Sequence, residues 1–485
     1  MRKATILLVL TLAGCATSPA YRRPVVQVPP AFRETKDTIG ATFVPLAVDT
    51  TAKPSPATER ALAQAEFWKE LGDTTLNRLL DELARANLDV RAAEARVRGA
   101  RAARLNSALD LAPTITAAGG YTRQRLSSAT FPIGGGRFPD QDIWDAGFDA
   151  SWEVDLFGRL RRTLQAQGAL VTATREDLRD VQVTLSADLA RAYFDLRGSQ
   201  ELLAVAQRNA ENQQRTLEVT RQRLEAGRGT AFDTERALAQ LNFTLATIPA
   251  LQSRVADAQY QIGVLVGRPP AAVASELQVA VALPDLPKAV SVSSPDSVIR
   301  HRPDVSAAER QLAAERAFVG AAKADYLPRL SVGGSAGYSA DALSRLGDNG
   351  TFRYAVGPVL SWPFLNLGQV KAGVDAAQAR RSEAEAQYNQ TVLRALQEVE
   401  SALIGYRTTR ARVERFQDAA SASERAAELA RLRFSGGVAD FLQVLDAERT
   451  QLDAESQLAQ SRTDAATAYA VLYKALGGWP TGSEQ

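Results

Sequence analysis

The chain has 485 residues with one Cys, one His and one Met, and 57 basic against 55 acidic side chains. A lone Cys excludes an internal disulfide, and with a lone His it excludes the usual zinc, haem and iron–sulfur ligand sets. A net charge of +2 gives no argument for nucleic acid, and a catalytic Cys–His pair would have only Cys15 and His301 to draw on.

The first fifteen residues, M-R-K-A-T-I-L-L-V-L-T-L-A-G-C, place Arg2 and Lys3 before an apolar run from Ile6 to Leu12. That layout is a bacterial secretion signal, and it is too short to span a bilayer, which takes about 20 apolar residues. Leu12-Ala13-Gly14-Cys15 matches the bacterial lipobox, so cleavage leaves Cys15 as the N-terminus carrying a covalent lipid. The alternative is an incidental Cys in an ordinary signal peptide. Ala16 in place of Asp is similar to lipoproteins sorted to the outer membrane. Removing residues 1–14 deletes Arg2 and Lys3 and no acid, which leaves 55 basic against 55 acidic residues. No later stretch reaches 18 apolar residues, so any membrane span must be made of β-strands.

Next in chain order the periodicity predicts a helix at 76–110, β-like segments at Pro113 to Arg123 and Ile143 to Leu156, a very long helix at about 159–226, a Gly turn, and a return helix at 231–266. The whole order recurs. Asp89-Val90 reappears as Asp304-Val305, and Pro113 as Pro328, at a shift of 215; beyond one loop, Ser151-Trp152 reappears as Ser361-Trp362, Gly227 as Gly437 and Ala237 as Ala447, at a shift of 210. The second copy then has a helix at 304–326, β-like segments at 328–338 and 352–364, a long helix at 369–435 and a return helix at 439–476. A twofold internal repeat with a single five-residue length difference explains both shifts. Pro249, which lacks an amide donor, is expected to kink or interrupt the first return helix.

The long helices carry a seven-residue period. Leu189, Leu196, Leu203, Ala210, Leu217 and Leu224 mark the first, and Val399, Tyr406, Val413, Ala420, Ala427 and Phe434 mark the second. Small or polar residues such as Ala192, Ser199, Ala206, Gln213 and Thr220 fill the alternating position. A sustained 3.5-residue period argues for coiled-coil packing. Large-then-small alternation suits helices packed on both sides, as in a wall, and a helix of this size reaches roughly 100 Å.

In the segment 143–152, Trp144, Phe148 and Trp152 fall on one face of a strand, and Asp145 and Asp149 on the other. This pattern fits the wall of an outer-membrane barrel, a soluble β-sandwich on a helical stalk being the alternative. The Gly-, Ser- and Asp-rich stretches 126–142 and 339–351 read as exposed loops. Four such strands cannot close a barrel, and open edges in lipid cost several kcal/mol per unpaired group. The strands must therefore be completed by other chains, which predicts an oligomeric tube.

Several segments, in order and in this duplicated frame, resemble the TolC/OprM-like outer membrane factors, in particular the NodT/OprM-type lipoproteins of RND efflux. They are F-W-K-E-L-G-D-T-T-L-N-R-L-L at 67–80, N-L-D-V-R-A-A at 87–93, S-W-E-V-D-L-F-G at 151–158 and I-P-A-L at 248–251, followed by L-V-G-R-P-P at 265–270, R-P-D-V at 302–305, V-L-D-A-E-R at 444–449 and L-Y-K-A-L-G-G-W at 472–479. The resemblance implies a mainly α homotrimer whose long coiled-coil helices form an α-barrel, topped by a transmembrane β-barrel of twelve strands, four per chain. It implies a passive exit duct for drugs or other toxic small molecules, joined by a periplasmic adaptor protein to an inner-membrane RND transporter. On this frame 1–14 is the signal peptide, 15–66 the lipidated arm, 67–267 the first repeat (β-hairpin 113–156, helical hairpin 159–266) and 268–300 the equatorial linker. The second repeat is 301–479 (β-hairpin 328–364, helical hairpin 369–476), and 480–485 is the tail.

The resemblance also places the adaptor contacts at the hairpin tips, Gly227, Gly229 and Thr230 in the first repeat and Gly436, Gly437, Val438 and Ala439 in the second. The glycines also have to end the helices and make the turns. A periplasmic gate would lie one or two turns away, at Leu429, Arg431 and Arg433, with Arg221 and Arg223 in the first repeat. A trimer turns each into a ring of three charges that selects by sign; a solvated helix face is the plain alternative. Relatives often carry an acid near position 431, where this chain has Arg. His301 reads as a surface structural residue. No paired carboxylates, phosphate loop or nucleophile constellation stands out, so no enzyme, metal or cofactor is expected beyond the lipid on Cys15. The other readings are a type I protein-secretion duct and a non-conducting structural envelope lipoprotein.

Overall fold

The computed structural model describes residues 28–36, 40–45, 68, 71–127, 138–292 and 294–478. Cys15, the signal peptide, most of the arm at 15–66 and the tail at 480–485 lie outside them. A short strand, β1 (Thr42–Pro45), precedes the first repeat, which runs α1 (Thr74–Ala86), α2 (Leu88–Leu109), β2 (Thr114–Gln124), β3 (Gln141–Val154), α3 (Arg159–Glu225) and α4 (Ala231–Leu265). A linker carries α5 (Pro270–Glu276) and β4 (Ala289–Val292). The second repeat runs α6 (Pro295–His301), α7 (Pro303–Ala324), β5 (Arg329–Ala340), β6 (Phe352–Ser361), α8 (Leu367–Ser435) and α9 (Phe441–Leu476).

The helix expected at 76–110 is two helices. Asn87 breaks it by leaving the helical region, at φ −62° and ψ 133°. Its Oδ1 accepts from the amides of Asp89 (2.8 Å) and Val90 (3.0 Å), capping α2. Asp73 caps α1 in the same way, accepting from Thr75 and Leu76 at 2.9 Å each. The expected interruption at Pro249 does not occur: α4 runs through it unbroken. Leu245, whose carbonyl loses its intrahelical partner there, is exposed, so water can satisfy the freed group.

Among the described residues the chain forms two compact units. One comprises Arg96–Arg175 with Ala307–Tyr388. It holds a four-stranded antiparallel sheet in the order β2-β3-β5-β6, so each repeat contributes one hairpin and β3 pairs with β5 to join them. At that junction Gly147 faces Gly337, and a Cβ on Gly147 would sit 2.7 Å from the Ala336 carbonyl oxygen. Only glycine permits strands so close. On the polar face, Arg353 of β6 reaches across β5 to Asp145 of β3 at 3.2 Å. The duplication extends to single bonds: Trp152 Nε1 donates to the Leu111 carbonyl (2.9 Å), and Trp362 Nε1 to that of Tyr326 (3.1 Å).

The second unit comprises Val26–Ala95, Glu176–Ser306 and the chain from Asn389 onward. Its core gathers Leu76, Leu79 and Leu83 of α1, Tyr193, Phe194 and Leu196 of α3, Ile262 of α4, Tyr406 of α8, and Tyr469 and Tyr473 of α9. Trp68 packs against Tyr473 at 4.6 Å between ring centroids, the rings tilted by 53°. Tyr193 OH donates to Asp73 Oδ2 (2.6 Å) and Tyr406 OH to the Pro287 carbonyl (2.6 Å), which satisfies buried hydroxyls. The heptad residues Leu189, Leu196, Leu217, Val399, Tyr406 and Ala427 are all buried, and so are Ala192, Ala206, Gln213 and Thr220 of the alternating set. Leu203 and Val413 are half-buried and Leu224 is exposed, so the stripes are buried over part of their length, and there the helix packs on two sides.

The linker takes part in this unit. β4 pairs in parallel with β1, Thr42 facing Ala289 and Phe43 facing Val290. The single turn Arg33–Lys36 is seated on α8, where Glu400 accepts from the amides of Arg33 (2.8 Å) and Glu34 (3.2 Å), and Arg407 pairs with Glu34 at 2.8 Å. Among the described residues no helix is long and apolar enough to cross a membrane.

Candidate functional site: the helical hairpin tips

Both tips are built by the same local chemistry. At the end of α3, Gly227 adopts φ +66°, the Gly227 amide donates to the Leu224 carbonyl (3.0 Å) and the Arg228 amide to that of Arg223 (2.7 Å). At the end of α8, Gly437 adopts φ +76°, with Gly437 to Phe434 and Val438 to Arg433 at 2.9 Å each. These are Schellman caps, which put a residue in the left-handed region and favour glycine there. The next helices start at equivalent positions. Thr230 accepts from the amide of Asp233, and Asp440 from that of Leu442.

The two tips are joined by Arg223. Its guanidinium lies 4.4 Å from the centroid of the Phe434 ring, and Nη1 donates to the Phe434 carbonyl. That carbonyl lies near the end of α8, where it also accepts from the Gly437 amide and a cation is favoured. Phe434 packs on Phe441 at 5.7 Å, and with Ala210, Leu217, Ala237, Leu241, Val444 and Leu445 they form a second buried cluster. A recess of about 400 Å³ beside it is lined by Thr220, Arg223, Gly229, Thr230, Phe434 and Ala439, among others.

The expected gate residues separate into two groups. Leu429, Arg221 and Arg433 are exposed on their helices, and Gly227, Gly436, Gly437 and Val438 are exposed in the turns. Arg223 and Arg431 are half-buried and engaged. Arg431 Nη1 lies 3.4 Å from Glu448 Oε1 on α9, and Thr216 of α3 donates its hydroxyl to the same oxygen at 2.7 Å. The Glu448 side chain is 4% exposed, and burial pushes its carboxyl above the usual range, against the pull of Thr216 and Arg431. His301 Nδ1 lies 2.7 Å from the Ser297 carbonyl one turn back, a local helix-end contact.

Glu448 is the residue that reading along the sequence passed over. The signal was present: 444, 448 and 451 recur at helical spacing, which places the acid on the same buried face as Val444 and Gln451. Phe434 as the partner of Arg223 has no such signal, because the pair is 211 positions apart.

Residues 79–268 and 294–478 match the family described as Outer membrane efflux protein. The chain is 29% identical to the outer membrane protein OprJ of Pseudomonas aeruginosa, over 99% of this chain and 96% of that protein. It is 27% identical to the toluene efflux pump outer membrane protein TtgF of Pseudomonas putida, over 99% and 98%. The solved structure of the outer-membrane channel OprN superposes with a TM-score of 0.83 at 36% identity, covering 96% of this chain and 99% of that one.

Proposed function

Because the chain belongs to the outer membrane efflux protein family, we propose that it is the outer-membrane exit duct of a tripartite efflux pump, conducting small toxic molecules outward without a reaction of its own. Relatives named as efflux pump outer membrane proteins, one of them of a toluene efflux pump, support that reading. The observation that carries it is the open sheet. β2 and β6 are outer strands with no neighbour on one side among the described residues, and Ile115, Tyr354, Val356 and Leu360 stand exposed on them. Apolar strands with free edges suit a lipid-facing wall completed by further copies. Three copies of a four-stranded sheet make the twelve strands of a closed barrel. The same threefold arrangement makes an α-barrel of the long helices.

The partners are a periplasmic adaptor, received at the hairpin tips, and an inner-membrane RND transporter that supplies the energy. Cys15 carries the lipid that holds the mature N-terminus at the outer membrane. The test is conductance of the purified protein in planar bilayers, with its mass in detergent measured in parallel. A trimer that conducts once its tips are loosened is the expected result. A monomer, or a trimer that stays silent in every tip variant, overturns the duct.

A further inference from the structure

Successive residues of a strand point to opposite faces, so the sheet presents two surfaces. One carries the exposed apolar side chains Ile115, Phe148, Tyr354, Val356 and Leu360. On the other, β3 places three acids, Asp145, Asp149 and Glu153, while the alternate residues of β2 carry no charge. β5 adds Arg329 to this polar face and β6 adds Arg353. Four of these five charges are paired. Arg353 answers Asp145 at 3.2 Å, Arg159 answers Glu153 at 2.7 Å, and Asp325 answers Arg329 at 2.7 Å. Asp149 has no cation paired with it among the described residues.

The repeat shows how that imbalance arises. At a shift of 210, Ile143, Asp145 and Asp149 of β3 correspond to Arg353, Ala355 and Val359 of β6. The second hairpin thus puts a base and no acid at these positions, and its one base is spent on Asp145. Gly337, which stands opposite Arg353, has no side chain to block that reach across β5. Asp149 stands opposite Thr116 of β2 and Ser335 of β5, whose hydroxyls leave its charge in place. It is exposed on a recess of about 250 Å³ lined by Gly120, Asp145, Gly147, Asp149, Ser335 and Arg353, among others.

We propose that Asp149 sets the charge preference of the duct within the sheet, attracting cationic cargo such as protonated amines and quaternary ammonium compounds and disfavouring anions. The inference deepens the duct reading, which turns the polar face towards the lumen. By symmetry, a barrel of three copies repeats the carboxylate three times at one height. Like charges in a conduit select by sign, and the wall behind them, of low dielectric, focuses their field into the water of the lumen. Arg353 acts in the opposite sense, because it keeps Asp145 from adding a second negative charge.

The experiment records the reversal potential of the full-length protein in planar bilayers across a KCl gradient, with the tips loosened. The wild type is expected to reverse on the potassium side of zero. Asp149→Asn should move the reversal potential towards chloride, Asp149→Lys should move it further the same way, and Asp149→Glu should hold the wild-type value. Arg353→Gln, which frees Asp145, should move it further towards potassium. Tetrapropylammonium in the bath should reduce the wild-type current, and loss of the charge in Asp149→Asn should weaken that block about fivefold. Retained conductance shows that each variant is folded. A conducting Asp149→Asn or Asp149→Lys protein with the wild-type reversal potential overturns the inference and leaves the duct standing. A protein that conducts in no variant overturns the duct, and the inference with it.

Discussion

Asn87 and Arg302 occupy the same position in the two repeats and make the same bond with different chemistry. Asn87 Nδ2 donates to the carbonyl of Leu265, at the end of α4, at 2.8 Å; Arg302 Nη1 donates to the carbonyl of Ala475, near the end of α9, at 2.9 Å. Each residue interrupts a pair of consecutive helices and stitches the break to the last turn of its own return helix. The first junction is neutral. In the second, Arg302 also pairs with Asp304 (2.8 Å) and Glu398 (2.6 Å), with its side chain 8% exposed.

Replacing these two residues should therefore have unequal effects. Asn87→Ala removes a cap and one bond, about 1–2 kcal/mol. Arg302→Ala removes a charged hydrogen bond to the Ala475 carbonyl and two pairings with partly exposed acids, about 2–3 kcal/mol. Thermal unfolding followed by circular dichroism should show the larger fall for Arg302→Ala. Equal falls would count against the charged junction.

Asp180 on α3 faces the same junction. Burial pushes its carboxyl up to about 6, Asp304 adds to the rise, and Arg302 and Lys474 oppose it. A folded-state value above the unfolded one means the folded protein holds the proton more tightly. This group's contribution is then most favourable in acid and fades as pH rises from about 4 to about 6. Asp180→Asn should flatten the dependence of the unfolding midpoint on pH across that window and raise the midpoint at neutral pH. A midpoint profile parallel to the wild type would overturn the assignment.

Arg223→Met should loosen the tips without unfolding the protein. It removes a cation–π contact of about 0.5–1 kcal/mol and a charged hydrogen bond of about 1.5–3 kcal/mol to Phe434. Hydrogen exchange at 224–230 and 434–440 should quicken by about tenfold or more, while exchange in the Tyr193–Tyr473 core stays as it was. Protection unchanged at both tips would show that Arg223 does not join them.

Gly437→Val tests the tip as a docking surface. A Cβ there meets nothing within 4 Å, so there is room, but φ +76° makes any side chain strained by about 1–2 kcal/mol, and more for a β-branched one. The trimer should survive and co-purification with the adaptor should weaken. Undiminished adaptor binding would move the contact elsewhere.

Several features are legible in the sequence because their signals are local. Schellman turns announce themselves as Gly227 and Gly437 after a long apolar period, and the duplication shows as recurring short motifs. The break at Asn87 is not legible in the sequence, since Asn caps a helix well but continuous periodicity on both sides argues against a stop. Glu448 sat in a motif that marked the family, yet its burial depends on which helix faces α9. Arg431 read as a pore charge and is tied to that acid. The difference is one of partner, which no spacing along α8 reveals.

By itself the sequence determined the repeat, the helix and strand order and the seven-residue packing stripe, because each rests on residues within a few turns of one another. The tertiary structure decided what depends on distant segments meeting: β3 against β5, β1 against β4, Arg223 on Phe434, and the carboxylate of Glu448 between Thr216 and Arg431. Periodicity says that a face will be buried. Which face buries it, and so whether a charge there is solvated, paired or driven towards its neutral form, is settled only when the long helices pack.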